Sequence, residues 1–246
     1  MEPSIVLAVV FFAVAVLYAS VGHAGASGYL AAMALLGVAP ETLRPTALAL
    51  NILVASIVTF RFARAGLVSW RALVPFVLGS VPMAFIGGGI SLPGAVYKPL
   101  VGVVLLVAAW RLASTARSIL DDAAGVRAPV VPSIAIGGGI GLLSGIIGTG
   151  GGIFLSPIVL FLGWASTRRA SGLSAGFILA TSSAGLAGNV AAIGAIPSAL
   201  PLWALAVALG AVLGTEVGVA RAGAPTLRRL LAVVLVVAGL KLILVG

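Results

Sequence analysis

The chain alternates long apolar runs with short polar or glycine-rich interruptions. The runs fall at about residues 4–21, 28–37, 43–60, 72–91, 97–115, 132–147, 152–162, 170–191, 198–220 and 228–245. A helix needs roughly 20 residues to cross a bilayer, and most of these runs approach that length. The second and seventh do not: at about 1.5 Å per residue they reach only halfway. Both short runs start beside a cluster of glycines. Residues 17–30 read LYASVGHAGASGYL and residues 142–155 read LLSGIIGTGGGIFL, so in each an apolar run breaks and then resumes.

The two breaks belong to a longer correspondence. Gly22 to Gly25 fall on Gly148 to Gly151, Tyr29-Leu30 on Phe154-Leu155, Gly37 on Gly163, Ser56 on Ser182, Gly66 on Gly194 and Gly79 on Gly210. VYKPLVGVVLLVAAWRL (96–112) falls on TLRRLLAVVLVVAGLKL (226–242). The sequence thus predicts one membrane domain made of two repeats, 1–115 and 132–246, joined by a polar linker at 116–131. Each repeat is expected to hold three full transmembrane helices and one glycine-broken helical hairpin, in an all-α polytopic fold.

Composition narrows the class. With 61% hydrophobic and 8% charged residues, the apolar surface exceeds what one soluble core could bury. The net charge of +9 could suggest nucleic acid, but the basic residues sit between apolar runs and read as topology signals. Absence of Cys excludes disulfides and thiolate metal sites, and no cofactor is called for. The first run follows Met-Glu-Pro with no basic stretch, so it is expected to belong to the mature fold.

Orientation follows from the loops. If each half crosses an odd number of times, Arg61, Arg64, Arg71, Arg111, Arg117, Arg127, Arg168, Arg169, Arg221, Arg228 and Arg229 are cytoplasmic. Only Arg44, Lys98 and Lys241 then lie outside. An even number would divide the same residues equally. The positive-inside rule prefers the first arrangement, which inverts one half relative to the other and places both termini outside.

Inverted repeats with glycine-interrupted segments at matching positions point to a transporter's substrate site. Backbone at membrane depth leaves helical geometry only where protein or a water-filled cavity satisfies it. The short helices would begin at the breaks and aim their N-termini at one place, one from each side. Unpaired N–H groups and positive dipole ends there suit an anion. The other glycines, Gly210, Gly214 and Gly218, Gly87 to Gly89 and Gly137 to Gly139, are expected to serve close helix packing instead.

The glycine-rich IIGTGGGIFLSPIVLFLG, its weaker counterpart VGHAGASGYLAAMALLG, and the length of the chain resemble the sulfite exporter TauE/SafE family. That resemblance implies a bacterial inner-membrane carrier for sulfite, organosulfonates or related small sulfur anions. The first half departs from the family's glycine run at His23, Ala24, Ala26 and Ser27.

The candidate substrate-binding residues are Gly22, His23, Gly25 and Ser27 in the first break and Gly148, Thr149, Gly150, Gly151 and Gly152 in the second. Ser56, Ser182 and Asn51 join them from the helices that follow. His23, the single histidine, could donate to an oxyanion or carry a coupling proton, or it could tie the broken backbone to a neighbouring helix. Thr149 and Ser27 could meet the anion or cap the short helices. Ser56 and Ser182 could line the cavity or bond back to their own helices. Asn51 and Asn189 are expected to face the bundle interior. Glu216, the one carboxylate inside a long apolar run, is the second coupling candidate, although it lies near a helix end where it could meet Arg221. Arg44 could attract anions at the outer vestibule.

Expected partners are therefore a small anion, protons as a candidate coupling ion, and the lipid bilayer. An enzyme is not expected. Gly25-Ala26-Ser27-Gly28 fits the GxSG pattern of rhomboid-type proteases, but the only histidine stands four residues before the serine and no second one can act as base. A passive anion channel and a small-carboxylate transporter stay open as alternatives, and counterflow would separate carrier from channel.

Overall fold

The computed structural model describes residues 3–114, 126–190 and 196–220, together with 235–237, 239–240 and 242–244. Among them every regular element is helical. The first five helices are α1 (Pro3–Ala19), α2 (Ala26–Leu35), α3 (Pro40–Arg64), α4 (Trp70–Gly89) and α5 (Gly94–Ser114). They are followed by α6 (Val130–Ile147), α7 (Gly152–Phe161), α8 (Thr167–Gly188) and α9 (Leu200–Ala220). Each of the first nine apolar runs becomes one helix, shifted by a few residues at most. Most of the linker, most of the tenth run, Gly194, Arg117, Arg221, Arg228, Arg229 and Lys241 lie outside the described residues.

Glycine sets where several helices stop. Gly37, Gly66 and Gly163 follow α2, α3 and α7 with φ of 74°, 70° and 64°, a region that disfavours a Cβ. In each case the next residue reaches back over the turn: Val38 N–H donates to Met33 O at 3.0 Å, Leu67 to Phe62 at 3.0 Å and Trp164 to Val159 at 2.9 Å. These bonds satisfy carbonyls that the helix end would otherwise leave open.

The helices interlock by close backbone approach. Gly79 and Gly87 on α4 face the Ile134 and Leu142 carbonyls of α6, and Gly137 and Gly141 on α6 face Phe76 and Ser80 of α4. In the same way Gly210 and Gly214 on α9 rest on Phe12 and Val16 of α1. A Cβ at Gly210 would lie 2.5 Å from the Phe12 carbonyl oxygen, so these positions hold glycine for packing. Gly139 faces open space and does not share that role. Trp203 Nε1 on α9 donates to Ser4 O at 2.9 Å, and its ring meets Phe11 edge-on at 5.4 Å.

Helices α3 and α8 form the centre. Their most apolar windows are 56% and 67% buried, against 44% for α4 and 39% for α6. They run in opposite directions: Arg169, at the start of α8, donates from Nη1 to Gly66 O just beyond the end of α3, while Gly185, near the end of α8, faces Leu48 in the first half of α3.

Among the described residues four helices are long and apolar enough to cross a membrane: Glu41–Arg64, Trp70–Gly89, Val130–Ile147 and Thr167–Gly188. Shorter apolar helices complete the bundle. Its outer face carries large apolar side chains such as Leu78, Trp110 and Phe161, a surface suited to lipid.

Candidate functional site

Both short helices begin at a left-handed glycine. The residue before α2 is Gly25 (φ 100°) and the one before α7 is Gly151 (φ 77°), and neither helix is capped by its own N-cap side chain. By contrast α8 begins at Ser166, whose hydroxyl accepts from Arg169 N–H at 3.4 Å. The first-turn amides of α2 and α7 therefore look to the rest of the protein for partners.

Asn51, buried on α3, supplies one. The Ala26 N–H that opens α2 donates to Asn51 Oδ1 at 3.2 Å, and Asn51 Nδ2 donates to Ser182 Oγ on α8 at 3.0 Å. Gly150 of the second break (φ 74°) packs directly on this pair: a Cβ there would collide with Asn51 Nδ2 and lie 2.7 Å from Ser182 Oγ. One carboxamide thus spans the start of α2 and the second break.

His23 makes a second connection. Its Nδ1 lies 3.0 Å from Val21 O within the first break, and its Nε2 lies 3.1 Å from Gly152 O and 3.2 Å from Ser156 Oγ on α7. Ser156 Oγ is in turn 2.6 Å from Ser174 Oγ on α8. His23 is half-buried.

The second break carries an unusual polar group. Thr149 is 5% exposed and its hydroxyl has no hydrogen-bond partner among the described residues. Ser144, in the last turn of α6, is buried in the same condition. A buried hydroxyl without a partner costs about 1–3 kcal/mol, which a ligand with oxygen acceptors would recover.

The other glycines of the breaks pack closely on their neighbours. Gly22 (φ 77°) rests on Ser171 of α8, and Gly148 (φ 91°) rests on Arg44 of α3; Cβ atoms there would lie 2.6 and 2.8 Å from those residues. Gly25 and Gly151 are surrounded by apolar side chains, Val14 and Tyr29 for the first and Ile140 and Phe177 for the second.

A profile of the sulfite exporter TauE/SafE family matches residues 7–242. The chain belongs to that family. It is 42% identical over 239 residues to the probable membrane transporter protein y4hK of Sinorhizobium fredii, an alignment covering 96% of this chain and 97% of the relative. It is also 29% identical over 130 residues to the probable membrane transporter protein MJ0441 of Methanocaldococcus jannaschii, covering 52% of this chain and 48% of the other. No solved structure matches the chain.

In this TauE/SafE chain two of the sequence candidates stand away from the meeting point. Ser56 is exposed on α3 and donates to Ile52 O at 2.7 Å, so it bonds back to its own helix and is not at the breaks. Glu216 pairs with Arg61 at 3.2 Å on the outer surface, joining α9 to α3. Ser27, in the first turn of α2, is buried with its hydroxyl 2.6 Å from Tyr18 OH. Conversely, Ser156 and Ser174 escaped the sequence reading. Ser156 lies one helical turn beyond Gly152, and that spacing was the available signal.

Proposed function

We propose that the chain is a secondary carrier that moves a small sulfur-containing anion, of the sulfite or organosulfonate class, across the bacterial inner membrane. Two inverted halves, 1–115 and 132–246, rock about a central site where the N-termini of α2 and α7 approach each other. Both chain termini lie outside. The observation that carries this reading is Asn51: a single side chain accepts from the first N–H of α2 and sits against Gly150 of the second break. Two helix starts within reach of one carboxamide offer positive dipole ends and amide donors to one anion.

The pairing of helices supports the inverted arrangement. If α6 to α9 repeat α1 to α4, then α4 on α6 and α9 on α1 are one contact seen twice, and so are Gly22 on Ser171 and Gly148 on Arg44. The counterparts α3 and α8 run antiparallel, as a two-fold axis in the membrane plane requires. The sulfur chemistry rests on the family, and the names of the two relatives support membrane transport in general.

An inside-negative potential favours export of an anion, and uptake would need a cotransported cation such as a proton. The test is flux into proteoliposomes with sulfite, alkanesulfonates, thiosulfate and small carboxylates as competing substrates. Saturable flux with counterflow, preferring sulfur oxyanions and weakened by Thr149→Val, is expected. Flux without counterflow would identify a channel, and indifference to every anion would defeat the proposal.

A further inference from the structure

Among the described residues only one charged side chain falls in the buried set. It is Arg44, 7% exposed, in the second turn of α3. Its hydrogen bonds all go to backbone carbonyls: Nη1 donates to Ile90 O at 2.8 Å and to Ile146 O at 3.2 Å, and Nη2 donates to Gly88 O. Glu41, one turn earlier on the same helix, is exposed. The guanidinium therefore sits on the negative ends of α4 and α6 with neutral acceptors only.

An ionised side chain inside a membrane bundle is expensive and marks an ion's path. Carbonyl dipoles offset part of that expense. An oxyanion would do so better, since it brings an opposite charge and can accept two parallel N–H bonds from the planar guanidinium fork. The surroundings are suited to such a guest. Gly148, where the second break opens, is seated on the Arg44 stem, and on either side of it in sequence stand Ser144 and Thr149 with their unpartnered buried hydroxyls.

We propose that Arg44 is the charge-bearing residue of the anion's path, held on the α4 and α6 carbonyls until a small oxyanion draws the guanidinium away. This rests on the anion-carrier reading above and adds the group that balances the substrate's charge. The occupant is a tetrahedral or trigonal oxyanion, and a doubly charged one gains most from the cation.

The test compares how affinity depends on ligand charge. Purified full-length wild type, Arg44→Gln, Arg44→Lys and Tyr97→Phe are titrated with methanesulfonate as monoanion and with sulfate and thiosulfate as dianions. Tyr97 is the control because its hydroxyl donates to Ile147 O at 2.9 Å, beside the carbonyl Arg44 holds, and carries no charge. Arg44→Gln is expected to weaken the dianions about tenfold more than the monoanion, the order of one lost charged contact. Tyr97→Phe should shift all ligands alike, and Arg44→Lys should keep the dianion-to-monoanion ratio while weakening both by about threefold.

Folded Arg44→Gln protein with the wild-type ratio would overturn the proposal and leave the carrier reading standing. Should that variant fail to fold, Arg44→Lys that keeps the charge but loses the dianion preference overturns it equally. Wild-type protein that binds none of the three anions would defeat both.

Discussion

Asn51 Nδ2 and Ser182 Oγ are joined by a buried hydrogen bond of 3.0 Å that links the two central helices α3 and α8. The same carboxamide accepts from Ala26 N–H, so removing it strands a donor at the start of α2 as well as the Ser182 hydroxyl. Asn51→Leu keeps the branch at Cγ, removes both hydrogen bonds and is expected to cost about 1–3 kcal/mol of stability. Thermal melting in detergent checks this, and a melting temperature equal to wild type would mean the link contributes nothing.

The left-handed glycines separate backbone strain from steric crowding. Gly37 has φ 74° with nothing near a Cβ, so Gly37→Ala is expected to cost about 1–2 kcal/mol from the dihedral alone. Gly22 has φ 77° and a Cβ there would be 2.6 Å from Ser171 O, which adds a backbone clash. Gly22→Ala should therefore melt well below Gly37→Ala, while Gly139→Ala, in open space at ordinary helical φ, should match or exceed wild type. Equal losses at Gly22 and Gly37 would contradict the close approach of the first break to α8.

His23 joins the first break to α7 through contacts with Gly152 O and Ser156 Oγ. His23→Ala is expected to lower flux in proteoliposomes between about threefold and tenfold, the equivalent of one or two hydrogen bonds near 1 kcal/mol. If the imidazole carries the coupling proton, His23→Gln also flattens the dependence of flux on pH. A pH profile unchanged by His23→Gln would leave the residue as a tie between helices and no more.

Arg61 and Glu216 form an ion pair whose side chains are 31% and 61% exposed. Such pairs contribute about 0–1 kcal/mol in water-like surroundings. Glu216→Gln is accordingly expected to melt close to wild type and to retain its flux and its response to a proton gradient. Loss of proton-driven flux in that variant would return Glu216 to the mechanism.

The sequence made the helices legible because each apolar run is bounded by glycine or polar residues, and α2 and α7 were recognisable from length alone. The breaks were legible for a physical reason: Gly22, Gly25, Gly148, Gly150 and Gly151 all adopt positive φ, which glycine alone tolerates freely. What the runs could not reveal was which face of a helix looks inward. Ser56 and Ser182 look equivalent in an ungapped reading, yet the first is exposed and the second buried. A shift of one residue is enough to turn a side chain by about 100° around a helix. The burial of Arg44 was not legible because it depends on carbonyls from α4 and α6, distant in sequence. Ser156 and Ser174 were missed because hydroxyls inside an apolar helix give no periodic signal of their own.

The exchange of partners, with α1 resting on α9 and α4 on α6, has a consequence for biosynthesis. A ribosome that has delivered only the first five helices has released glycine-notched faces whose mates are still untranslated. Neither portion of the chain completes its own packing, so assembly waits for the last helices to be inserted, and two separately expressed fragments should accumulate only when made in the same cell.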